Sequence, residues 1–547
     1  MLESNVEQSA YSSDGYVKRR IANVISVLLP AREYRLECSW TTEKPLPAVE
    51  EFACKLMLVM DSVSPSELRG YFGLSTLEVD GLVRSLVKNR LVEVADDGVL
   101  HASAILQAKG STVGDIPTFT TFETHEENAV FDLLALQIVP RRSYGNARFG
   151  LPEIPIPDSS KSVSADRIAE AFSEQYRAYL EFTRGRSRDS HKMRLYKVSR
   201  CRPHRTVQVP IDMEVSVEAG AQGELKVFRD AVERLGENRR RPLSNELESR
   251  VADYLAHEAL PACTPSVEEF CALADDEVLA RYVRNGELDL GRWLADRDAR
   301  KTGYGDQNTR ALLGPVYLTS NRTTLLRLLK QTEEEAEGSA IAHWLPANVP
   351  FWAANSSELV EFVPKVQRAL GGDDFGRLVA CFCGKDAADQ KWLKKKYHGR
   401  IPHAVSFMGG AALDRVELLV VPNRIVVAQY HLQPSASSAV TLPIGFVSTD
   451  SERVSRVTKL LVSRLSTEWN PQFLWSDDSQ SVHSLIDFSR LGLTPDPRAS
   501  SATTMVGNTS SDASHSRQVG NDAAGRLGAG KAAISEGKIV WKRPNGY

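Results

Sequence analysis

Cysteine, long apolar runs and net charge of either sign are all scarce in this sequence. Its 547 residues include seven cysteines, an odd number without close pairing except Cys381-x-Cys383, which favours a reduced compartment over a disulfide framework. No apolar run approaches the roughly 18 to 20 residues of a membrane helix, and Met1 to Asp14 lacks the apolar core of a secretory signal. We therefore expect a cytoplasmic protein that does not associate with a membrane.

Motifs of the common enzyme classes are missing as well. The sequence contains no GxxxxGK[ST], GxGxxG, HExxH, GxSxG or CxxC pattern, so we expect no cofactor. His257, Cys263 and Cys271 fall in one segment, but a zinc site needs about four ligands of suitable type. No fourth ligand presents itself in that segment, so we interpret the three as buried structural residues and expect no metal ion.

Length and charge set two further bounds. Because a single core rarely grows beyond about 250 to 300 residues, a chain of 547 residues should hold three or more domains. The net charge of -3 argues against electrostatic capture of the whole protein by nucleic acid. A local basic stripe on one domain is still compatible with that balance.

Residues 46–101 carry the signals of three helices followed by a hairpin. A first helix over Pro47–Asp61 presents an apolar face made of Val49, Phe52, Ala53, Leu56 and Val59 or Met60. Capping boxes begin the next two helices, one formed by Ser64 with Glu67 and the other by Ser75 with Glu78. Asp97-Gly98 then predicts a tight turn between strands Leu91–Val94 and Val99–His101. This arrangement resembles a winged helix-turn-helix domain.

The resemblance implies duplex DNA as a partner. Some charges of the third helix suit DNA and others do not. Arg84 and Lys88 face outward and are candidate nucleic-acid-binding residues. However, the exposed positions at the start of that helix are Thr76, Glu78 and Asp80, and carboxylates there would face phosphates rather than base edges. A protein-binding or architectural role for this domain is the alternative.

The densest positive charge lies further along the chain, between residues 184 and 205. This stretch contains nine cationic side chains and one carboxylate, Asp189. The cations are Arg184, Arg186, Arg188, Lys192, Arg194, Lys197, Arg200, Arg202 and Arg205. Each cation set against a phosphate releases a counterion, so the stretch can bind DNA or RNA without reading bases. An acidic partner protein is a second interpretation. A solvated strand face is the third, because residues 207–217 alternate as in a half-buried strand.

The remaining patterns predict an α/β region near the C-terminus and helices before it. We expect a helix over Val17–Ile25, a helical or buried apolar segment over Glu126–Val139, and helices over Leu225–Leu235, Ser244–Leu260, Ser266–Asn285 and Leu288–Arg300. From Val316–Thr319, which we predict as a strand, strands and helices alternate to about Leu465. Such alternation is typical of an α/β sandwich with a mostly parallel sheet.

The stretch Arg415–Leu465 resembles one half of a phospholipase D superfamily domain. Its strand, hairpin return, glycine-containing strand Ile444–Val447 and closing helix follow that family's order, with Gln429 or Tyr430 at the small polar position. The resemblance places Arg415 at the nucleophilic histidine and Glu417 at the phosphate-binding lysine of the His-x-Lys motif. Arginine cannot replace that nucleophile and glutamate would repel phosphate, so the resemblance implies a non-catalytic relative. The nearby histidines are His403 and His431.

We therefore predict a multidomain α+β protein with an N-terminal winged helix, a central mixed region with a helical layer, a C-terminal phospholipase-D-like α/β sandwich and a disordered tail. The expected boundaries are residues 1–15 (disordered), 16–125 (winged helix), 126–164 (linker), 165–302 (basic mixed and helical domain), 303–490 (α/β domain) and 491–547 (tail ending in a short apolar and basic motif).

This architecture resembles accessory subunits of bacterial anti-phage defence systems such as the Druantia type. The resemblance implies a non-catalytic component of a multi-protein complex, whose partners are other subunits and, through the basic stretch, DNA or RNA. Two alternatives are a divergent phospholipase-D-superfamily nuclease or phosphodiesterase that uses His403 or His431, and a DNA-binding transcriptional regulator.

Overall fold

A computed structural model describes most of the chain between residues 18 and 493. The described ranges are 18–109, 118–140, 148–184, 193–220, 224–234, 240–258, 264–332, 340–371, 376–384, 386–407, 413–435, 438–465, 471–479 and 481–493. The segments predicted to be disordered, at residues 1–15 and in most of the tail, lie outside these ranges. The described residues all belong to one compact unit of mixed α and β structure.

The secondary structure elements follow one another in three groups. The first group is β1 (Arg20–Pro45), α1 (Ala48–Val59), α2 (Pro65–Phe72), α3 (Thr76–Lys88), β2 (Val92–Val94), β3 (Leu100–Ala102), α4 (Ala104–Lys109), β4 (Thr118–Asp132) and β5 (Ile138–Val139). The second is α5 (Asp158–Lys161), α6 (Ala165–Glu174), α7 (Tyr176–Arg184), β6 (Met193–Ala219), β7 (Leu225–Arg234), β8 (Arg240–Pro242), α8 (Asn245–His257), α9 (Val267–Ala274), α10 (Glu277–Ala280), β9 (Val283–Arg284), β10 (Glu287–Leu288) and α11 (Leu290–Asp298).

The third group forms the C-terminal part of the described chain. It consists of β11 (Thr309–Leu313), α12 (Thr319–Gln331), β12 (Ile341–Leu345), α13 (Glu358–Gly371), β13 (Arg377–Cys383), α14 (Ala387–Tyr397), β14 (His403–Phe407), β15 (Val416–Val421), β16 (Ile425–Leu432), β17 (Leu442–Ser448), α15 (Ser451–Leu465), β18 (Gln472–Ser476) and α16 (Phe488–Leu491). No helix in the described part of the chain is long and apolar enough to cross a membrane.

The three-helix module, residues 46–109, lies between two strands that pair with each other. Both predicted capping boxes are present, with the Ser64 and Ser75 hydroxyls accepting from the Glu67 and Glu78 amides. The predicted apolar face of α1 is wrong for Val49, Phe52 and Val59, whose exposed fractions are 43%, 57% and 84%. The packed face of α1 is shifted: it keeps Ala53 of the predicted set and adds Cys54 and Met57. The core of the module also contains Leu68, Leu82, Leu86 and Leu100.

The first large sheet has six strands in the order β5-β4-β1-β6-β7-β8, and every neighbouring pair is antiparallel. The predicted helix over Val17–Ile25 is wrong, because Arg20–Pro45 is one strand in the middle of this sheet. Its run from Val24 to Leu29 is buried throughout, and a strand covered on both faces has no alternation that would distinguish it from a helix.

Two other segments predicted as helical also belong to this sheet. The predicted helix over Leu225–Leu235 is wrong, because Leu225–Arg234 returns along Asp212–Ala219 as a β-hairpin. Glu126–Val139 is strand rather than helix for most of its length. In both cases cross-strand pairing with β6 or β1 outweighs the weak local preference for helix.

The second large sheet has eight strands in the order β11-β17-β16-β15-β12-β13-β14-β18. The prediction of a mostly parallel sheet is wrong, since only β12 with β13 and β13 with β14 run parallel. The predicted strand Val316–Thr319 is also wrong: β11 lies earlier, at Thr309–Leu313. The side-chain amide of Asn321 donates to the carbonyl oxygens of Leu313, Gly314 and Pro315, which holds the turn after β11 against the start of α12.

The two sheets share one hydrophobic core. Residues of β1 and β6 belong to the same buried cluster as residues of β16 and β17. Asn23 of β1 donates to the Thr441 carbonyl at 2.6 Å, and the Ser26 amide donates to the Ala354 carbonyl at 2.6 Å. The sheet built from β1, β4 and β6 therefore spans the predicted boundaries at residues 125 and 164.

Candidate nucleic-acid interface

The arm is the part of the first sheet that lies next to the three-helix module. We define it as residues 33–41 of β1, 123–130 of β4 and 194–205 of β6, which pair in register side by side. One face of the arm is covered by α6 and α7 through an apolar cluster that includes Tyr34, Leu36, Trp40, Phe172 and Tyr179. The opposite face, which we call the outer face, is polar.

Three β-bulges in β6 place five cations on the outer face. Arg205, Arg202, Arg200, Lys197 and Arg194 pair in turn with residues 33, 35, 37, 39 and 41 of β1, all of which point to one side of the sheet. The register shifts skip His204, Ser199 and Tyr196. Without these extra residues, a spacing of three along β6 would send neighbouring cations to opposite faces. The five residues, named the cation row below, are all exposed.

The geometry of the cation row suits a linear polyanion. Its members lie opposite alternate residues of β1, hence about 6.8 Å apart, because a strand rises about 3.4 Å per residue. The row is thus about 27 Å long, the length over which one strand of B-DNA presents about eight phosphates. Along the arm, β6 pairs with β1 on one side, and among the described residues its pairing with β7 begins only at Asp212.

Carboxylates neutralise part of this charge. The Arg205 guanidinium lies 2.5 Å from the carboxylate of Glu33, which is itself fully buried. Arg35 of β1 adds a sixth cation to the outer face and lies 3.4 Å from Glu126, while Glu37 is opposite Arg200 in register. The described residues offer no ion pair to the other four members, Arg194, Lys197, Arg200 and Arg202. These four are therefore the cations available to a ligand.

The other predicted cations of the basic stretch do not belong to the cation row. Arg184, at the end of α7, lies on the helix-covered side, where its guanidinium is 4.6 Å from the Trp40 ring centroid and 3.1 Å from the Glu127 carboxylate. Its charge helps to hold α7 on the sheet. Arg186, Arg188 and Lys192 lie outside the described residues.

The third helix of the module presents a mixed surface. Arg84 and Lys88 are exposed as predicted, and the Arg84 guanidinium donates to the Asp80 carbonyl of its own helix. The Glu78 carboxylate is engaged by the Ser75 amide and hydroxyl, and these hydrogen bonds lower its pKa. Leu77, with 77% of its surface exposed, stands beside it at the start of the helix. The structure therefore keeps both a carboxylate and an apolar side chain at the position where base-reading donors are needed.

A second polar group, the interior polar cluster, consists of Arg415, Glu417, His431, Thr441 and Trp344. The Glu417 carboxylate accepts from the Trp344 indole at 2.7 Å and is bonded to His431 Nε2 at 2.7 Å, and His431 Nδ1 lies 3.0 Å from the Thr441 hydroxyl. The Arg415 guanidinium donates to the His431 carbonyl. All five residues are buried. A cavity beside Glu417 and His431 has space for about one water molecule.

No local pattern indicated that these residues would meet. Arg415 and Glu417 are predicted positions on one strand, whereas His431 comes from the next strand and Trp344 from β12. His403, the other histidine considered, lies apart from the cluster, between the Ser476 hydroxyl at 2.8 Å and the Gln367 amide, and burial lowers its pKa. No group of three or more potential metal ligands comes together in the described ranges.

Comparison with known proteins adds little. No protein-family model matches the chain, and no curated protein matches it. Among solved structures, a likeness is detected to TrmBL2, described as an archaeal chromatin protein with a novel mode of DNA binding. It covers 76% of this chain and 90% of that chain at 9% sequence identity, with a TM-score of 0.19. A likeness this low carries no argument about this chain.

Proposed function

We propose that this chain is a non-catalytic nucleic-acid-binding protein that holds the phosphate backbone along the outer face of the arm. The observation that carries the proposal is the alignment of Arg194, Lys197, Arg200 and Arg202 on one exposed face by bulges. Because these cations meet phosphates rather than base edges, binding is salt-sensitive and independent of sequence.

The three-helix module fits this proposal as a winged helix that orients the ligand rather than one that selects a sequence. It is carried at the end of the arm, since Met193 of β6 lies opposite Thr42, three residues before β1 ends. The cation row therefore begins next to the module, although about a hundred residues separate the two in sequence. Because Glu78 and Leu77 stand at the start of α3, the module is better suited to orient the ligand on the arm than to read the sequence of an operator.

We also propose that the C-terminal sheet is a degenerate phospholipase-D-like domain. Arg415 and Glu417 occupy the positions compared with that family's His-x-Lys motif, and both side chains are closed inside the protein. Glu417 and His431 bond to each other and to neighbouring side chains, so neither is presented to a substrate. The alternative of a nuclease would require turnover that disappears in His431→Ala.

At the level of the cell, we propose membership of a multi-protein anti-phage system, in which other subunits supply catalysis. This assignment stays a prediction from the order of domains. Neighbouring genes that encode a helicase or a nuclease would support it, and an isolated gene would count against it.

The proposed binding can be tested with a labelled 30-base-pair duplex of arbitrary sequence. Replacing all four cations (Arg194→Gln, Lys197→Gln, Arg200→Gln and Arg202→Gln) should weaken binding at low salt at least tenfold in fluorescence anisotropy. A control removes four exposed cations elsewhere: Lys226→Gln, Arg327→Gln, Lys330→Gln and Lys459→Gln. If the two variants lose affinity equally, binding reflects total charge and the assignment to the arm is wrong.

A further inference from the structure

The exposed face of α14 is a second cationic surface. Lys391, Lys394 and Lys395 are exposed on one side of this helix, while Leu393 and Tyr397 on the other side are buried in the core. The helix carries carboxylates only near its start, where Asp386 caps it and Asp389 follows in the first turn. His398 at its end lies 3.4 Å from Asp477, so the free positive charge is that of the lysines.

A tryptophan stands among these lysines. Trp392 has 55% of its surface exposed, although a side chain of this size is usually mostly buried. The Lys396 ammonium lies 4.6 Å from its ring centroid, which gives the indole a cation–π contact. Trp392 therefore keeps an open aromatic surface with lysines on both sides along the helix.

A second exposed aromatic side chain is held against the same helix. Phe149 is 49% exposed, and the Arg148 guanidinium lies 5.1 Å from its ring centroid. The Phe149 carbonyl accepts from Arg400 at 3.3 Å. Gly150, at a φ of +73°, packs so closely that a Cβ there would lie 2.3 Å from the Lys396 carbonyl oxygen. The turn carrying Phe149 is thus fixed against the C-terminal end of α14, the helix that carries Trp392.

From this pairing of exposed rings and cations we infer that Trp392, Phe149 and the lysines of α14 form a binding surface for single-stranded nucleic acid. Unpaired bases stack on the rings and the lysines contact the phosphates. A duplex would leave the rings unused, since its bases are stacked inside. An anionic membrane is disfavoured because an interfacial helix inserts an apolar face, and the apolar face of α14 is already buried. This surface is separate from the cation row and does not rest on it.

The test uses the full chain and a labelled 15-nucleotide oligo-dT, which forms no duplex. Trp392→Ala should weaken oligo-dT binding about tenfold, because a base-stacking ring contributes roughly that much. Trp392→Phe should retain most of the affinity, and Phe149→Ala should also weaken it. Binding of the 30-base-pair duplex should be unchanged in all three. Because Trp392 is exposed, thermal unfolding of Trp392→Ala should match that of the unaltered protein.

Two outcomes would overturn the inference. One is unchanged oligo-dT affinity in Trp392→Ala. The other is equal competition by polyglutamate or by vesicles containing phosphatidylserine, which would assign the surface to an acidic protein or to a membrane. The four-cation arm variant separates this test from the proposed function: it should lose duplex binding and retain the stacking effect of Trp392 on oligo-dT.

Discussion

The arm and the interior polar cluster contain the same kinds of residue in different settings: the arm exposes them to solvent, and the cluster buries them inside the protein. Both contain arginine and glutamate, and both form close pairs across neighbouring strands, such as Arg205 with Glu33 and His431 with Glu417. In the arm, bulges place on a solvent-open face four cations that make no ion pair with the described residues. In the cluster, every named side chain is buried and hydrogen-bonded to a neighbouring residue of the protein.

This difference shows why residue type alone does not define a site. A charge in solvent can exchange water and counterions for a ligand at little cost, whereas a buried polar group must be bonded within the protein. We therefore expect changes in the cluster to alter stability and changes in the arm to alter binding.

Glu417→Ala should destabilise the protein by about 3–5 kcal/mol, because it leaves His431 Nε2 and the Trp344 indole buried without their acceptor. The matched change in the arm, Glu126→Ala, removes a carboxylate that is 62% exposed and lies 3.4 Å from Arg35. It should cost about 1 kcal/mol or less. Urea unfolding of both variants checks the comparison. Similar losses of unfolding free energy would show that Glu417 contributes no more to stability than Glu126 does.

The pH dependence of stability should also separate the regions. Burial lowers the pKa of His343, in β12 of the second sheet, to about 4, and its Nε2 accepts from the Asp487 amide. Since the unfolded side chain protonates near pH 6.5 and the folded one near 4, the unfolded state binds more protons between these values. The contribution of His343 to stability should therefore fall as pH drops from about 6.5 towards 4, by roughly 3 kcal/mol in full.

His343→Gln should flatten this dependence, because glutamine can accept the Asp487 hydrogen bond but does not titrate. Duplex binding should stay constant between about pH 5.5 and 7.5, because it is assigned to arginine and lysine and not to histidine. Urea unfolding at a series of pH values gives the first result and anisotropy gives the second. An unchanged pH slope in His343→Gln would remove His343 as its source.

Deletion of Ser199 should have the smallest effect. Ser199 is the extra residue of one bulge, so its removal leaves Arg200 opposite Glu37 and Val198 opposite Cys38. The cations keep their face, and duplex affinity should change by about twofold or less. If Ser199 were instead a paired residue of β6, its deletion would reverse the faces of Arg194 and Lys197 relative to Arg200 and Arg202, and affinity would change by more than this.

Local signals predicted some of these features and missed others for physical reasons. The capping boxes at Ser64 and Ser75 depend on residues three positions apart, so the sequence shows them directly. The strands β15, β16 and β17 were predicted because a turn and β-branched residues lie close together along the chain. By contrast, the Val24–Leu29 run of β1 is buried on both faces and β7 becomes a strand by pairing with β6, and neither property is local.

The candidate site was half predictable. The sequence identified the basic stretch but not which cations share a face, since that depends on register shifts relative to β1. The spacing of Arg194, Lys197 and Arg200 at intervals of three was the available signal, as it fits a strand only if bulges are present. Burial of Glu417 and His431 depends on Trp344 and Thr441 from other strands, so no local pattern indicated it.

The salt dependence of duplex binding measures how many phosphates the outer face of the arm neutralises. Each phosphate neutralised contributes about -0.9 to the slope of log Kobs against log salt, so four contacts contribute about -3.6. The slope of the unaltered protein should be steeper, that is more negative, than that of the four-cation arm variant by about this amount. The variant with four cations removed elsewhere should keep the full slope. Equal slopes in all three proteins would contradict the assignment of phosphate binding to the outer face of the arm.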